Sequence, residues 1–215
     1  MIIESINHVN FYEQAKLKYL FGKSDPMKDY TPISYLQSDG TQYIDTGLKF
    51  DKPYYYIVDC EIDNINNNQM FGMYYGYDHG VAVYGGVYQL IDTNYNIYNT
   101  SITAGLRTTF TIDKATKTIT AKSGNIEDSK TFTGDFFPSS SVYPVVLFAF
   151  WTAWNNTLRG YGKGKIYSFK YYEEGVLLRD MIPVIRKSDN KLGMWDKVNE
   201  QFYTNQGTGE FITPT

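Results

Sequence analysis

The chain has 215 residues, 42% of them hydrophobic and 20% charged, which suits one generous soluble domain with a short appendage and leaves little room for two full domains. A net charge of −3 and a pI near 5.4 give no electrostatic reason to expect nucleic acid, which wants clustered Lys and Arg, so no nucleic-acid partner is expected. The longest apolar runs, such as VVLFAFW at 145–151, fall far short of the roughly 20 residues a bilayer needs, so no membrane insertion is expected.

Residues 2–21 have helical texture. Ile2, Ile6, Val9, Tyr12, Leu17 and Leu20 fall near three-and-four spacing, Gly22 offers a stop, and GKSDP reads as a linker. An isolated helix of this length is marginal in water, so its apolar stripe should dock on its own domain, a sister subunit or a larger assembly. Residues 1–30 are therefore assigned as a helical attachment and oligomerisation segment. The same stretch has no basic region followed by a continuous apolar run, so no signal peptide is expected.

From Thr31 onward short runs of β-branched and aromatic residues alternate with Gly, Asn, Asp and Ser, the pattern of an all-β domain over 31–215. Candidate strands are ISYLQ, QYIDTGL, YYYIVDCEI, MFGMYYGY, VAVYG, YQLI, RTTFTIDK, KTITAK, SKTFTG, VYPVVLFAF and KIYSFKYYE, with DKATK and EEG as hairpin turns. No intervening helices suggest a parallel sheet, and no fixed-period repeat suggests a propeller, which leaves a sandwich. Aromatics make up 17% of the chain and include 21 Tyr, a residue that suits half-buried sheet faces as well as surfaces that stack on sugars. Residues 178–211 look instead like an apolar strap laid over the sheet, carrying Met181, Ile182, Val184, Met194, Trp195, Val198, Phe202 and Tyr203. Cys60, the single cysteine, has no partner for a disulfide and is expected to be buried and inert.

Two segments carry a resemblance. SDGTQYIDTG at 38–47 and KIYSFKYYEEGVLLRDMIPVIRKSDNKLGMWDKVNEQFYTNQGTGEF at 165–211 contain a GTQYIDTG opening, a K-x-Y-S-x-K-x-Y strand, an R-D-x-I-P bend, a G-x-x-D-x-V-N-x-x-F-Y segment and an N-x-G-T-G-x-F finish. Over about residues 31–215 the chain thereby resembles a concanavalin A-like, laminin-G-like jelly-roll module of phage structural proteins and gut-bacterial surface proteins. The resemblance implies a jelly roll used for display or adhesion, often in virions, and supplies no ligand. Release of a virus particle by lysis would also account for an adhesive domain with no export signal.

Most of these motifs have a structural reading. Gly40 and Gly47 should bracket a short edge strand with Tyr43 on one face and Gln42 and Ile44 on the other, while Asp45 and Thr46 tie the next turn. Pro183 should fix an extended bend, Arg179 and Asp180 should pair, and Asp196 and Asn199 are natural turn residues.

Chemistry is sparse. Jelly-roll glycosidases that cut β-glucans place alternating carboxylates on one strand, and EID at 61–63 begins such a series, but Ile65 and Asn66 stand where a third carboxylate would follow. No enzyme is expected. His8 and His79 form no triad, and GKS at 22–24 lacks the earlier glycine of a phosphate loop. Laminin-G-like modules often hold calcium at a loop edge, which makes Asp78, Asp92 and Asp135 candidate ligands, yet their spacing follows no calcium loop, so no cofactor is expected. For a sugar, exposed rings beside amide or carboxylate side chains are useful. The best cluster is Trp151, Trp154, Asn155, Asn156, Arg159 and Tyr161, which competes with a core role for the two Trp, and a second patch holds Tyr95 and Tyr98. Together these readings anticipate a phage virion protein that contacts other virion proteins through residues 1–30 and host-surface glycans through the domain, as a homo-oligomer, by analogy with displayed fibres a trimer. A bacterial cell-surface carbohydrate-binding adhesin is the alternative, with a glycoside hydrolase behind it.

Overall fold

The computed structural model of the protein describes residues 25–49, 54–63, 68–71, 73–74, 80–84, 86–91, 97–133, 144–152 and 157–214. The chain enters through β1 (Tyr30–Pro32), β2 (Leu36–Asp39), β3 (Ile44–Lys49) and the long β4 (Tyr54–Ile62). Next come β5 (Asn68–Phe71), β6 (Met73–Tyr74), β7 (Gly80–Tyr84), β8 (Val87–Ile91) and β9 (Ile97–Thr103). β10 (Thr108–Asp113), β11 (Thr118–Ser123) and β12 (Ile126–Thr131) form a meander, and β13 (Pro144–Leu147), β14 (Phe150–Thr152) and β15 (Thr157–Arg159) follow it. The chain closes with β16 (Lys163–Glu173), β17 (Val176–Arg186), β18 (Lys191–Asp196) and β19 (Gln201–Thr204). No described residue is helical, and the helical texture of residues 2–21 lies outside the described residues.

The described residues are all-β. Their main element is a ten-stranded antiparallel sheet in the order β12-β11-β10-β4-β16-β17-β18-β19, with β1 paired to β17 and β2 to β16. β5, β7, β8 and β9 make a four-stranded sheet, while β15-β14-β6 and β13-β3 make two smaller ones. Period-two alternation explains β4: Tyr54, Tyr56, Val58, Cys60 and Ile62 are buried, whereas Tyr55, Ile57, Asp59 and Glu61 lie on the other face. The buried face joins Phe110, Ile112, Phe169 and Tyr171 of the main sheet to Val81, Tyr88, Leu90 and Ile102 of the four-stranded sheet and Ile44 and Leu147 of the smallest. Layers with one apolar core between them are consistent with a β-sandwich. Cys60 is fully buried, and burial pushes its thiol well above the ordinary pKa, as its apolar setting predicts.

Tyr88 ties the layers together. Its hydroxyl donates to the Leu106 carbonyl (2.9 Å) and accepts the Ile62 N–H (3.1 Å), with the ring edge-on to Phe110 at 5.1 Å. Tyr88→Phe keeps the ring and orphans a buried backbone donor, so chemical denaturation should show a loss of about 1–3 kcal/mol. An unchanged midpoint would mean that the hydroxyl bridge contributes nothing.

Residues 178–211 are no strap: β17, β18 and β19 extend the main sheet. Pro183 sits inside β17, where β16 gives way to β1 as the neighbouring strand. Gly47 (φ +71°) lies within β3, not beyond it, at a kink where Asp45 Oδ1 accepts the Gly47 N–H (2.8 Å). Arg179 and Asp180 do not pair, because successive strand residues point to opposite faces. Arg179 instead faces Asp196 (3.5 Å) and donates to the Thr46 carbonyl (3.0 and 3.1 Å), while Asp180 lies near Lys170 and Lys197. β1 begins at Tyr30, the last residue of the assigned linker; its ring packs on Trp195 at 4.4 Å and Phe202 at 5.3 Å.

Candidate functional site

The opening and finishing motifs meet in space. After β2 the chain turns at Gly40 (φ +101°), a conformation side chains avoid, and runs through residues 41–43 into β3. The segment after β19 lies against it: Gln206 N–H donates to the Tyr43 carbonyl (2.9 Å) and Thr208 N–H to the Thr41 carbonyl (3.1 Å). Asn205 Oδ1 accepts the Tyr43 N–H (3.1 Å) and the Gly207 N–H (2.8 Å). Gln42, fully buried, accepts Ser38 Oγ–H and the Asp39 N–H on its amide oxygen and donates to the Glu210 carbonyl (3.1 Å). The Thr41 hydroxyl lies between the Asp39 carboxylate (2.8 Å) and the Thr208 carbonyl (2.9 Å). Gly207 packs so closely that a Cβ there would run into the Thr41 carbonyl.

This junction frames an open groove of about 390 Å³, lined by Gly40, Thr41, Tyr43, Leu158, Tyr161, Gln206, Gly207 and Thr208. The Tyr43 and Tyr161 rings meet edge-on, 6.2 Å apart, and Tyr161 is 38% exposed. Partial burial, with Tyr161 beside it, raises the Tyr43 phenol above its ordinary pKa, so it stays a neutral donor and acceptor at physiological pH. Two rings, Leu158, hydroxyls and an amide, with no charged side chain among the described lining residues, suit a sugar: rings take its C–H face and polar groups its hydroxyls.

Of the side chains proposed from sequence, Tyr161 is in the groove. Arg159 is exposed at the end of β15, one residue past Leu158, and the Trp151 backbone pairs with Leu158 across β14 and β15. Tyr98 is not free for a ligand: its hydroxyl approaches Asp128 (3.3 Å) and Lys130 Nζ sits 5.5 Å from its ring centre. Trp154, Asn155, Asn156 and Tyr95, all six assembly residues of 2–20, both His and Asp78, Asp92 and Asp135 lie outside the described residues. Thr41, Leu158, Gln206 and Thr208 are groove residues that sequence reasoning missed, although the paired motifs contained three of them.

The carboxylate series reads differently on the strand. Asp59, two residues before Glu61, shares its face of β4. Arg107 grips Asp59 bidentately, Nε at 3.0 Å and Nη2 at 2.6 Å, and stacks 3.8 Å over the Tyr167 ring. Glu61 accepts Lys165 Nζ (2.6 Å) and the Tyr167 hydroxyl (3.0 Å). A bulge between Ile166 and Ser168 brings Tyr167 there, and burial, with Glu61 as the next cause, pushes its phenol up to about 12. Cations and a phenol thus engage both carboxylates. Among the described residues, no three His, Cys, Asp or Glu side chains converge as a metal site.

Three carboxylates are held below their ordinary pKa: Asp39 by the Thr41 hydroxyl, Asp128 by the Ser101 hydroxyl, and Asp189, at about 2, by Arg186. A depressed folded pKa stabilises the fold above the unfolded value, and that contribution is lost as pH falls through the folded pKa. Asp39 and Asp189 are exposed and Asp128 is half-buried, so the loss is modest. Stability should decline between about pH 4 and pH 2, and Asp128→Asn should flatten that decline in a urea series. An unaltered slope would remove Asp128 from the account.

Comparison with protein-family models finds no match to this chain, and none of the curated proteins compared with it matches significantly.

Proposed function

We propose that the protein is a phage virion structural protein whose concanavalin A-like jelly roll displays a glycan-binding groove, with the N-terminal segment as its attachment to the particle. The observation that carries the binding part is the groove itself. The two motifs at opposite ends of the domain close on each other there, leaving Tyr43 and Tyr161 open beside Thr41, Gln206 and Thr208. The virion part rests on the resemblance of those same motifs to phage structural modules. A display role also fits the way the chain enters: Asp25, Lys28 and Asp29 turn beside Tyr30, which seats on Trp195 and Phe202, so whatever precedes residue 25 joins the domain at that point.

A hydrolytic role is less well supported, because Asp59 and Glu61 are already engaged by Arg107, Lys165 and Tyr167. A glycosidase needs one carboxyl free to protonate and another free to attack or to activate water.

Peptide mass spectrometry of purified particles is expected to find the protein at a fixed copy number. Its absence from particles, with the protein retained on the bacterial surface, would favour the adhesin reading instead. In parallel, a glycan array is expected to register binding by the isolated protein.

A further inference from the structure

The outermost strand at one end of the main sheet's order has a pattern of its own. β12 is the terminal strand of that sheet, and five of its six side chains are exposed. Among the described residues no strand pairs with its outer side. A two-residue turn at Gly124 (φ +56°) closes the β11–β12 hairpin on the pair Ser123 and Ile126, and Phe132 N–H donates to the Lys117 carbonyl at the other end. That phase turns the backbone groups of Ile126, Asp128 and Lys130 toward β11. Glu127, Ser129 and Thr131 therefore point their N–H and C=O groups outward, away from the sheet.

The side chains obey the same alternation. Asp128 and Lys130 stand opposite the buried Ala121 and Ile119 and lean to the core side, where Asp128 accepts Ser101 N–H and Oγ–H (both 2.7 Å). Glu127, Ser129 and Thr131 lie on the outer face; Ser129 and Thr131 hydrogen-bond to Thr120 (2.9 Å) and Thr118 (3.1 Å).

We infer that β12 is a self-association edge, pairing antiparallel with β12 of a second copy of this chain about a two-fold axis at Ser129. A two-fold perpendicular to the sheet must set like faces opposite each other, which limits the registers. Centring on Asp128 sets Asp opposite Asp, and centring on Lys130 sets Lys opposite Lys. Centring on Ser129 sets Asp128 opposite the second copy's Lys130 twice over, and Glu127 opposite Thr131. That register also matches every outward backbone group with a partner, forming about six new N–H···O=C bonds. Charges on an edge strand ordinarily deter pairing, but here they oppose one another only in the registers they forbid.

The two-fold makes Ser129 its own neighbour, about 5.5 Å Cα to Cα, a separation a disulfide spans. The only native cysteine, Cys60, is buried and silent. Under mild oxidation Ser129→Cys in the full-length protein should form a covalent dimer. Glu127→Cys should not, since its symmetry mate would lie about 14 Å away. Sedimentation of the wild type should show a concentration-dependent dimer. Lys130→Asp, which sets two acidic side chains opposite each other in both cross-strand pairs, should weaken it about tenfold. A wild type that stays monomeric up to its solubility limit would overturn the inference, as would equal cross-linking at 127 and 129.

Discussion

Asp196→Ala should destabilise the protein by about 3–5 kcal/mol. Asp196 is 0% exposed yet carries a carboxylate. It holds three donors at once: the Asp180 N–H (3.0 Å), the Val198 N–H (3.1 Å) and Asn199 Nδ2 (2.7 Å). Arg179, its side chain only 15% exposed, faces it at 3.5 Å. Removing the carboxylate strands two backbone donors and leaves the Arg179 guanidinium, still bonded to the Thr46 and Leu178 carbonyls, without its counter-charge. Asp196→Asn should lie between wild type and alanine, since an amide oxygen still accepts but no longer balances the charge. Urea titrations followed by circular dichroism measure both variants. A loss under about 1 kcal/mol for Asp196→Ala would show that water replaces the carboxylate freely.

The second large effect belongs to a glycine. Gly164 (φ +146°) lies in β16 directly opposite Ile62 of β4, and a Cβ there would run into the Glu61 carbonyl. Gly164→Ala combines a disallowed backbone conformation with a clash against an unyielding main chain, and should cost about 2–5 kcal/mol. The damage falls on the β4–β16 ladder, which also positions Lys165 against Glu61. Gly175→Ala is the control: it too has positive φ (+82°), but nothing lies within 4 Å of a Cβ, so only the backbone term of about 1 kcal/mol remains. Equal losses at the two positions would show that the approach of the Glu61 carbonyl to Gly164 is not the limiting contact.

The parts of the fold that sequence reveals are those where one face is dry and the other wet. YYYIVDCEI alternates cleanly and becomes β4 residue for residue, and the flanking hydrophobics place DKATK as the β10–β11 turn. The strap reading of the C-terminal segment fails because alternation disappears where both faces are covered. In β18 every residue from Leu192 to Asp196 is buried: Met194 on the core side, Trp195 under the Tyr30 ring. A proline in mid-strand adds to the disguise, and only the change of neighbours at Pro183 makes it tolerable.

The candidate site shows a different limit. Tyr161 is legible as an exposed ring in a polar run, but its partner Tyr43 belongs to a motif at the other end of the domain, and nothing local announces that they meet. The motif pair could have pointed to Tyr43, since an opening and a finish that occur together must serve one place, but Tyr161 lies in neither motif. Similarly, reading the carboxylates forward from Glu61 passes over Asp59, which the period-two strand puts on the same face.

The most direct test of the account is a set of dissociation constants for the best glycan from the array, measured by titration calorimetry on wild type, Tyr161→Ala and Tyr172→Ala. Tyr161→Ala should weaken binding about tenfold or more, the loss of one stacked ring, with unchanged stability. Tyr172, which packs on Tyr55 of the main sheet away from the groove residues, should be neutral when replaced. Unaltered affinity in Tyr161→Ala, or a loss at Tyr172 instead, would contradict the placement of the binding site between Tyr43 and Tyr161.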